Sequence, residues 1–201
     1  MGPTILMPGE DVAIPADTET LYEVVDGRVV ELEPMGAFES WLSNLLKDHL
    51  SPFVRSHGLG RVVHEMLFNL LPIRQQRRPD LAFVSYGRWP KRRAVPRKNA
   101  WPVVPDLAVE VISPTNSMDA VLLKIREYFQ AGVQQVWVVL PEEEQVYVYD
   151  SPTTIRVLTR DDELTSESIL PGYRLPLAEL FERLEDVDDE DTAAESATDR
   201  P

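Results

Sequence analysis

The stretch from Asp106 to Leu140 constrains the fold more than any other part of the chain. It reads DLAVEVI, a turn at Ser113-Pro114-Thr115-Asn116, a helical segment to about Ala131, a stop at Gly132 and a second apolar run, Val136–Leu140 (VWVVL). Short apolar runs of this kind suit strands covered on both faces. Strand, helix and strand in that order predict a βαβ unit with a parallel, right-handed crossover. One charge, Glu110, stands inside the first strand among the apolar residues Leu107–Ile112. Burying an uncompensated carboxylate costs on the order of several kcal/mol. Glu110 must therefore meet a cation, or lie at the strand end where a cleft opens.

The flanking sequence supplies the rest of an α/β domain. LYEVVDGRVVEL alternates apolar and polar residues about Asp26-Gly27, a hairpin signal because both turn positions need positive φ. Gly36–Gly58 carries apolar residues at helical spacing and ends on glycine. Strands are expected over Arg61–Ile73 and, after the break at Pro79, over Asp80–Val84. Ser85–Pro105, with four prolines, reads as a loop. Gln145–Tyr149 alternates as the hairpin partner of Val136–Leu140, an edge strand is expected near Thr154–Leu158, and a short helix over Leu175–Leu184. Residues 1–16 read as an extended arm, 17–184 as one domain, and 185–201 as an acidic, disordered tail.

Composition removes several function classes. There is no cysteine among the 201 residues, and the three histidines (His49, His57, His64) have no zinc spacing. Any metal would thus be hard and oxygen-bound. The first residues carry neither a basic segment nor a long apolar run, and no stretch is long enough to span a bilayer, so a cytoplasmic location is expected. A net charge of -14 opposes casual nucleic-acid binding, yet it is unevenly spread. Arg74–Lys98 holds nine basic residues against Asp80 alone, while Glu182–Pro201 holds nine acids against Arg183 and Arg200.

Asp80 is the second isolated acid, leading the run LAFV. Carboxylates on adjacent strands can converge within roughly 5 Å, and such a pair suits a hard divalent ion able to polarise a phosphodiester. Lys124, on the helix after the Glu110 strand, could steady charge on the phosphate. Each residue also has a plainer reading. Lys124 could be a solvated helix residue, Asp80 a turn cap, and Glu110 half of a buried ion pair with Arg126 or Lys124. Asp106 lies about 13 Å from Glu110 along the strand and reads as a strand-entry residue. Trp41 and Trp137 read as core. Trp89 and Trp101, within the basic loop, read as base-stacking candidates. His64 and Glu65 give a weak pattern, and Ser113 has no base near it in sequence, against a serine hydrolase.

The segments LYEVVDGRVVEL, RRPDLAFVS and VPDLAVEVISPTNSMDAVLLKIREYFQAGVQQVWVVLPEEEQVYVY together resemble the Uma-two branch of the PD-(D/E)XK restriction-endonuclease-like superfamily, over roughly Leu21 to Phe181. The resemblance implies an α/β fold, a restriction-endonuclease-like mixed β-sheet flanked by helices with an N-terminal β-hairpin. It makes Asp80 and Glu110 metal ligands for Mg²⁺ or Mn²⁺, and Asp80, Glu110 and Lys124 the catalytic set. The superfamily places its lysine two residues after the second acid, where this chain has Ile112; in the Uma-type branch the lysine sits on the following helix, hence Lys124. Relatives carry a histidine early in the first long helix, where this chain has Glu39, read here as exposed rather than as a third ligand. Arg77, Arg78, Arg88, Lys91, Arg92 and Arg93 are the residues expected to grip the DNA backbone. The alternative is an inactive nucleic-acid-binding or homodimeric module that keeps the fold.

Overall fold

The computed structural model describes residues 20–182, so the arm expected over 1–16 and the tail expected over 185–201 lie outside the described residues. The N-terminal hairpin forms as expected, with β1 (Tyr22–Val25) antiparallel to β2 (Arg28–Glu31). Asp26 and Gly27 sit at φ 50° and 73°, the paired positive values a two-residue turn needs. Helix α1 (Ala37–Ser56) buries Leu42, Leu46, Leu50 and Val54, one stripe at four-residue spacing.

The expected strand over Arg61–Ile73 is instead two. β3 (Gly60–His64) ends where Glu65 takes φ 46°, and β4 (Phe68–Leu70) then leads into a single 3-10 turn at Leu71–Ile73. β5 (Gln75–Arg77), with no hydrophobic period of its own, pairs with β4 and β1 to give a small sheet ordered β2-β1-β5-β4. The hairpin tip is held on β5, where the Asp26 N–H donates to Gln75 Oε1 (2.7 Å) and Gln75 Nε2 donates to Asp26 Oδ1 (2.8 Å).

The main sheet contains β6 (Leu81–Ser85), β7 (Leu107–Val111), β8 (Gln135–Leu140), β9 (Gln145–Ser151) and β10 (Thr154–Thr159), in the six-strand order β10-β9-β8-β7-β6-β3. Only β7 and β8 are parallel, joined through helix α2 (Met118–Ala131). A further hairpin, β11 (Glu163–Ser166) with β12 (Leu170–Pro176), precedes the short helix α3 (Leu177–Leu180).

Strand alternation sorts the core into two layers. Leu81, Phe83, Leu107, Val109, Val111, Trp137 and Val139 face α1, β12 and α3. Ala82, Val84, Ala108, Val136 and Val138 face α2 and the loop before β7. Glu110 alternates with Val109 and Val111, so it belongs to the α2 side. Ser117 caps α2, accepting from the Ala120 N–H (3.3 Å), and Gly132 ends it at φ 100°. Gly132→Ala would force a Cβ into that left-handed conformation, an expected loss of about 1–2 kcal/mol readable by urea unfolding.

Two aromatic expectations are corrected. Trp89 and Trp101 are 4% and 1% exposed, so neither is a stacking platform for bases. The loop folds inward because Trp101 exchanges backbone bonds with the β4 region (Trp101 N–H to Leu67 O, 2.8 Å; Asn69 N–H to Trp101 O, 2.9 Å) and stacks on Phe68. Trp41 is exposed and stacks on Phe38 rather than filling the core, whereas Trp137 is fully buried.

Candidate active site

The register of β6 against β7 pairs Leu81 with Val109 and Ala82 with Ala108. Continued by one residue, it sets Asp80 opposite Glu110, on the same face of the sheet. Asp80 Oδ2 accepts the Val111 N–H (2.6 Å), which fixes the carboxyl at the end of β7. Glu110 is 6% exposed and both of its oxygens are engaged by α2. Lys124 Nζ donates to Oε2 (2.9 Å) and Tyr128 Oη donates to Oε1 (2.6 Å). Lysine and tyrosine four residues apart lie one above the other on a helix, so one turn of α2 holds both ends of the carboxylate. The structure thus brings Asp80, Glu110 and Lys124 together. Of the plainer readings, the ion pair of Glu110 with Lys124 is present, while Arg126 points elsewhere, its Nε donating to Leu122 O (3.3 Å).

Behind this cluster lies a buried ionic chain that the sequence did not suggest. Lys124 Nζ also meets Glu23 Oε1 (3.3 Å), and Glu23 Oε2 accepts from Arg77 (2.6 Å). Arg77 Nε donates in turn to Glu127 Oε2 (2.6 Å). Glu23 alternates with apolar residues in β1 and reads as the solvent side of a hairpin; it is 1% exposed because α2 and β5 cover it. The only signal in the sequence was Glu127, an acid three residues after Lys124 on a helix with a buried face.

The electrostatics follow from this crowding. Burial first, and then the neighbouring Glu110, push the Asp80 carboxyl up to about 8, against the Val111 N–H and Lys124, which pull it down. Burial alone would lower the Lys124 ammonium, but Glu110 and Glu23 outweigh it and hold the group above the ordinary lysine value. Burial and Glu110 likewise raise the Tyr128 phenol, so it remains a donor. Asp80, Glu110, Glu23 and Glu127 surround two side-chain cations, Lys124 and Arg77. Fully ionised, that set carries two excess negative charges (four minus two).

Hard carboxylate oxygens on adjacent strands fit one divalent cation of the Mg²⁺ class, whose binding would have to displace the proton from Asp80. Among the described residues no group of three or more His, Asp or Glu forms a metal cage. A pair of carboxylates is nevertheless an adequate anchor for Mg²⁺, which keeps several waters and completes its shell with phosphate oxygens.

Other expectations fall out differently. Arg77 is 5% exposed and paired with Glu23 and Glu127, so it cannot reach a phosphate. The Arg78 guanidinium donates to the Tyr22 and Glu65 carbonyls, and Arg88 donates to Val104, Pro105 and Gly132 carbonyls beside its ion pair with Asp106 (2.8 Å). These two arginines hold the fold together. Lys91, Arg92 and Arg93 are exposed, with Arg93 stacked 3.7 Å over the Trp89 ring. Glu39 is buried, contrary to expectation, at 9% exposure. Its carboxylate turns back over Gly36, where an added Cβ would fall 2.2 Å from Oε2, at the helix end whose dipole favours an acid. Asp106 is the strand-entry residue expected, accepting the Ser85 N–H (2.7 Å). His64 lies 3.5 Å from Glu65. No helix among the described residues is long and apolar enough to cross a membrane.

Comparison with known proteins agrees with this architecture. A structure described as a putative nuclease belonging to DUF820, from Anabaena variabilis ATCC 29413, superposes with a TM-score of 0.71 at 20% identity, covering 80% of this chain and 89% of the other. That likeness is one of fold. No protein with a curated description matches the chain. The model of the Uma2 family, described as "Putative restriction endonuclease", matches residues 10–178. The chain therefore belongs to the Uma2 family.

Proposed function

We propose that the protein is a divalent-metal-dependent nuclease that hydrolyses phosphodiester bonds in DNA. The observation that carries this reading is the meeting of two strand carboxylates, Asp80 and Glu110, with the Lys124 ammonium in one cluster. Asp80 and Glu110 would hold Mg²⁺ or Mn²⁺. Such an ion, when bound, supplies positive charge to a phosphoryl oxygen and makes a coordinated water more acidic. Tyr128, donating to Oε1, fixes the rotation of the Glu110 carboxylate. Lys124 places a protonated amine where negative charge develops on the phosphate, a fixed donor that needs no reorganisation during the reaction. Lys91, Arg92 and Arg93, exposed on the loop before β7, offer sequence-independent contacts to the backbone.

Purified protein and the Glu110→Ala variant, incubated with plasmid and linear DNA and Mg²⁺ or Mn²⁺, test the reading. Cleavage is expected from the wild type only, and only with the cation. Equal cleavage by both proteins would place the activity elsewhere. One observation favours a second reading, a nucleic-acid-binding or homodimeric module without turnover: both Glu110 oxygens already have partners within the chain. Salt-dependent DNA binding with no metal-dependent cleavage selects that reading, and light scattering reads the dimer.

A further inference from the structure

We propose that Glu23 is a positioning residue for Lys124, an anchor that keeps the lysine ammonium beside the Asp80–Glu110 pair when the charge of Glu110 is taken by a cation. The inference rests on the nuclease reading for its purpose, though not for its geometry. An ammonium has three N–H donors. Lys124 Nζ donates one to Glu110 Oε2 (2.9 Å) and forms an ion pair with Glu23 Oε1 (3.3 Å), which leaves donor capacity for a substrate oxygen or water.

The two carboxylates are not equivalent. Glu110 is the group a bound cation would draw upon, and that cation would repel the ammonium beside it. With Glu110 as its sole anchor, a flexible four-carbon side chain would swing away as the site loads. Glu23 is independent of that event. Its Oε2 is fixed by Arg77 (2.6 Å), and its Oε1 also accepts the Arg78 N–H (2.9 Å). Arg77 is tied to Glu127 on α2, the helix that carries Lys124. Glu23 is thus located relative to α2 at two points, once through Arg77–Glu127 and once through Lys124 directly. Pinning the hairpin to α2 would need only the first. The contact from the other oxygen to Lys124 is what a positioning role adds.

The ammonium itself provides the readout. Lysine side-chain ¹H–¹⁵N ammonium signals are seen when the group is held and protected from exchange, and Lys124→Arg assigns the signal by its loss. In Glu110→Gln, which mimics a neutralised Glu110 without metal, the Lys124 signal is expected to persist. In Glu23→Gln/Glu110→Gln it is expected to vanish while the backbone amide spectrum stays dispersed. Loss of the signal already in Glu110→Gln, or its survival in the folded double variant, overturns the proposal. Should the double variant fail to fold, the Glu110→Gln result decides alone, because Glu23 is intact there. In a cleavage assay Glu23→Gln should lower kcat at least tenfold, with KM and Mn²⁺ affinity within about twofold of wild type; an unchanged kcat overturns the role. A wild type that neither binds Mn²⁺ nor cleaves DNA would defeat the nuclease reading and leave the ammonium result standing on its own.

Discussion

Arg77→Met is expected to destabilise the protein by about 3–5 kcal/mol, the range for removing one partner from a buried ionic network. The mutation conserves much of the volume, so the loss is electrostatic. It leaves Glu23 and Glu127, at 1% and 7% exposure, without their shared cation in a site too dry to solvate them. Exposed pairs such as Arg156–Asp150 and Arg174–Glu163 are expected to contribute no more than about 1 kcal/mol each. Replacing Glu23, Arg77 and Glu127 together by Leu, Met and Leu should recover most of the stability, since a well-packed apolar set has no charge to desolvate. Urea unfolding of the single and triple variants checks both points. A single-variant loss below about 1 kcal/mol would mean that the network is solvated.

Asp80 gives the second large effect, and its sign is opposite to that of an ordinary ion-paired carboxylate. Its folded-state value of about 8 lies above the reference of 3.8, so the folded chain binds a proton that the unfolded chain releases. The associated stability is fully present below about pH 4 and is lost as pH rises through about 8. The shift is about four units at roughly 1.4 kcal/mol each, which sets an upper bound of about 5–6 kcal/mol on the loss in metal-free protein. In EDTA the wild type should therefore become less stable between pH 5 and pH 8, while Asp80→Asn should lose that slope and be the more stable of the two at pH 8. Added Mg²⁺ at a hundred times its Kd should return about 2.7 kcal/mol to the wild type. A wild-type stability that rises from pH 5 to pH 8 in EDTA would show that Asp80 is ionised without a cation.

The parts of the fold that carried a strong local pattern were legible in the sequence. The βαβ unit, the Asp26-Gly27 turn and the amphipathic helix α1 each announce themselves through period and turn chemistry. β5 did not, because Gln75–Arg77 is short and polar and owes its strand geometry to β1 and β4 on either side. β11 and β12 form a hairpin whose register shifts at Thr165/Ser166, which blurs its alternation.

The candidate site divides along the same line. Asp80 and Glu110 stood out because a lone acid in an apolar strand has few comfortable explanations. Glu23 did not, because an acid alternating with valines in a hairpin normally faces water, and only the packing of α2 and β5 against β1 buries it. Arg77 went wrong for a related reason. It sits in a run of basic residues that looks like a phosphate-binding face, but β-strand alternation turns it inward while Arg78 turns aside to Tyr22 and Glu65. Trp89 and Trp101 looked exposed beside so many arginines, although the apolar residues Val103 and Val104 close by already hinted that the loop returns to the core.

On the proposed reading, Asp80 and Glu110 share one divalent cation. Mn²⁺ titration followed by electron paramagnetic resonance at pH 8 measures this directly on wild type, Asp80→Asn and Glu110→Gln. One ion per chain is expected in the wild type, with binding about 10–100-fold weaker in either variant and a wild-type affinity that falls about tenfold per pH unit below 8 as a proton must leave Asp80. Wild-type and variant proteins that bind Mn²⁺ equally well, or a wild type that binds none at pH 8, would rule out a cation shared by Asp80 and Glu110.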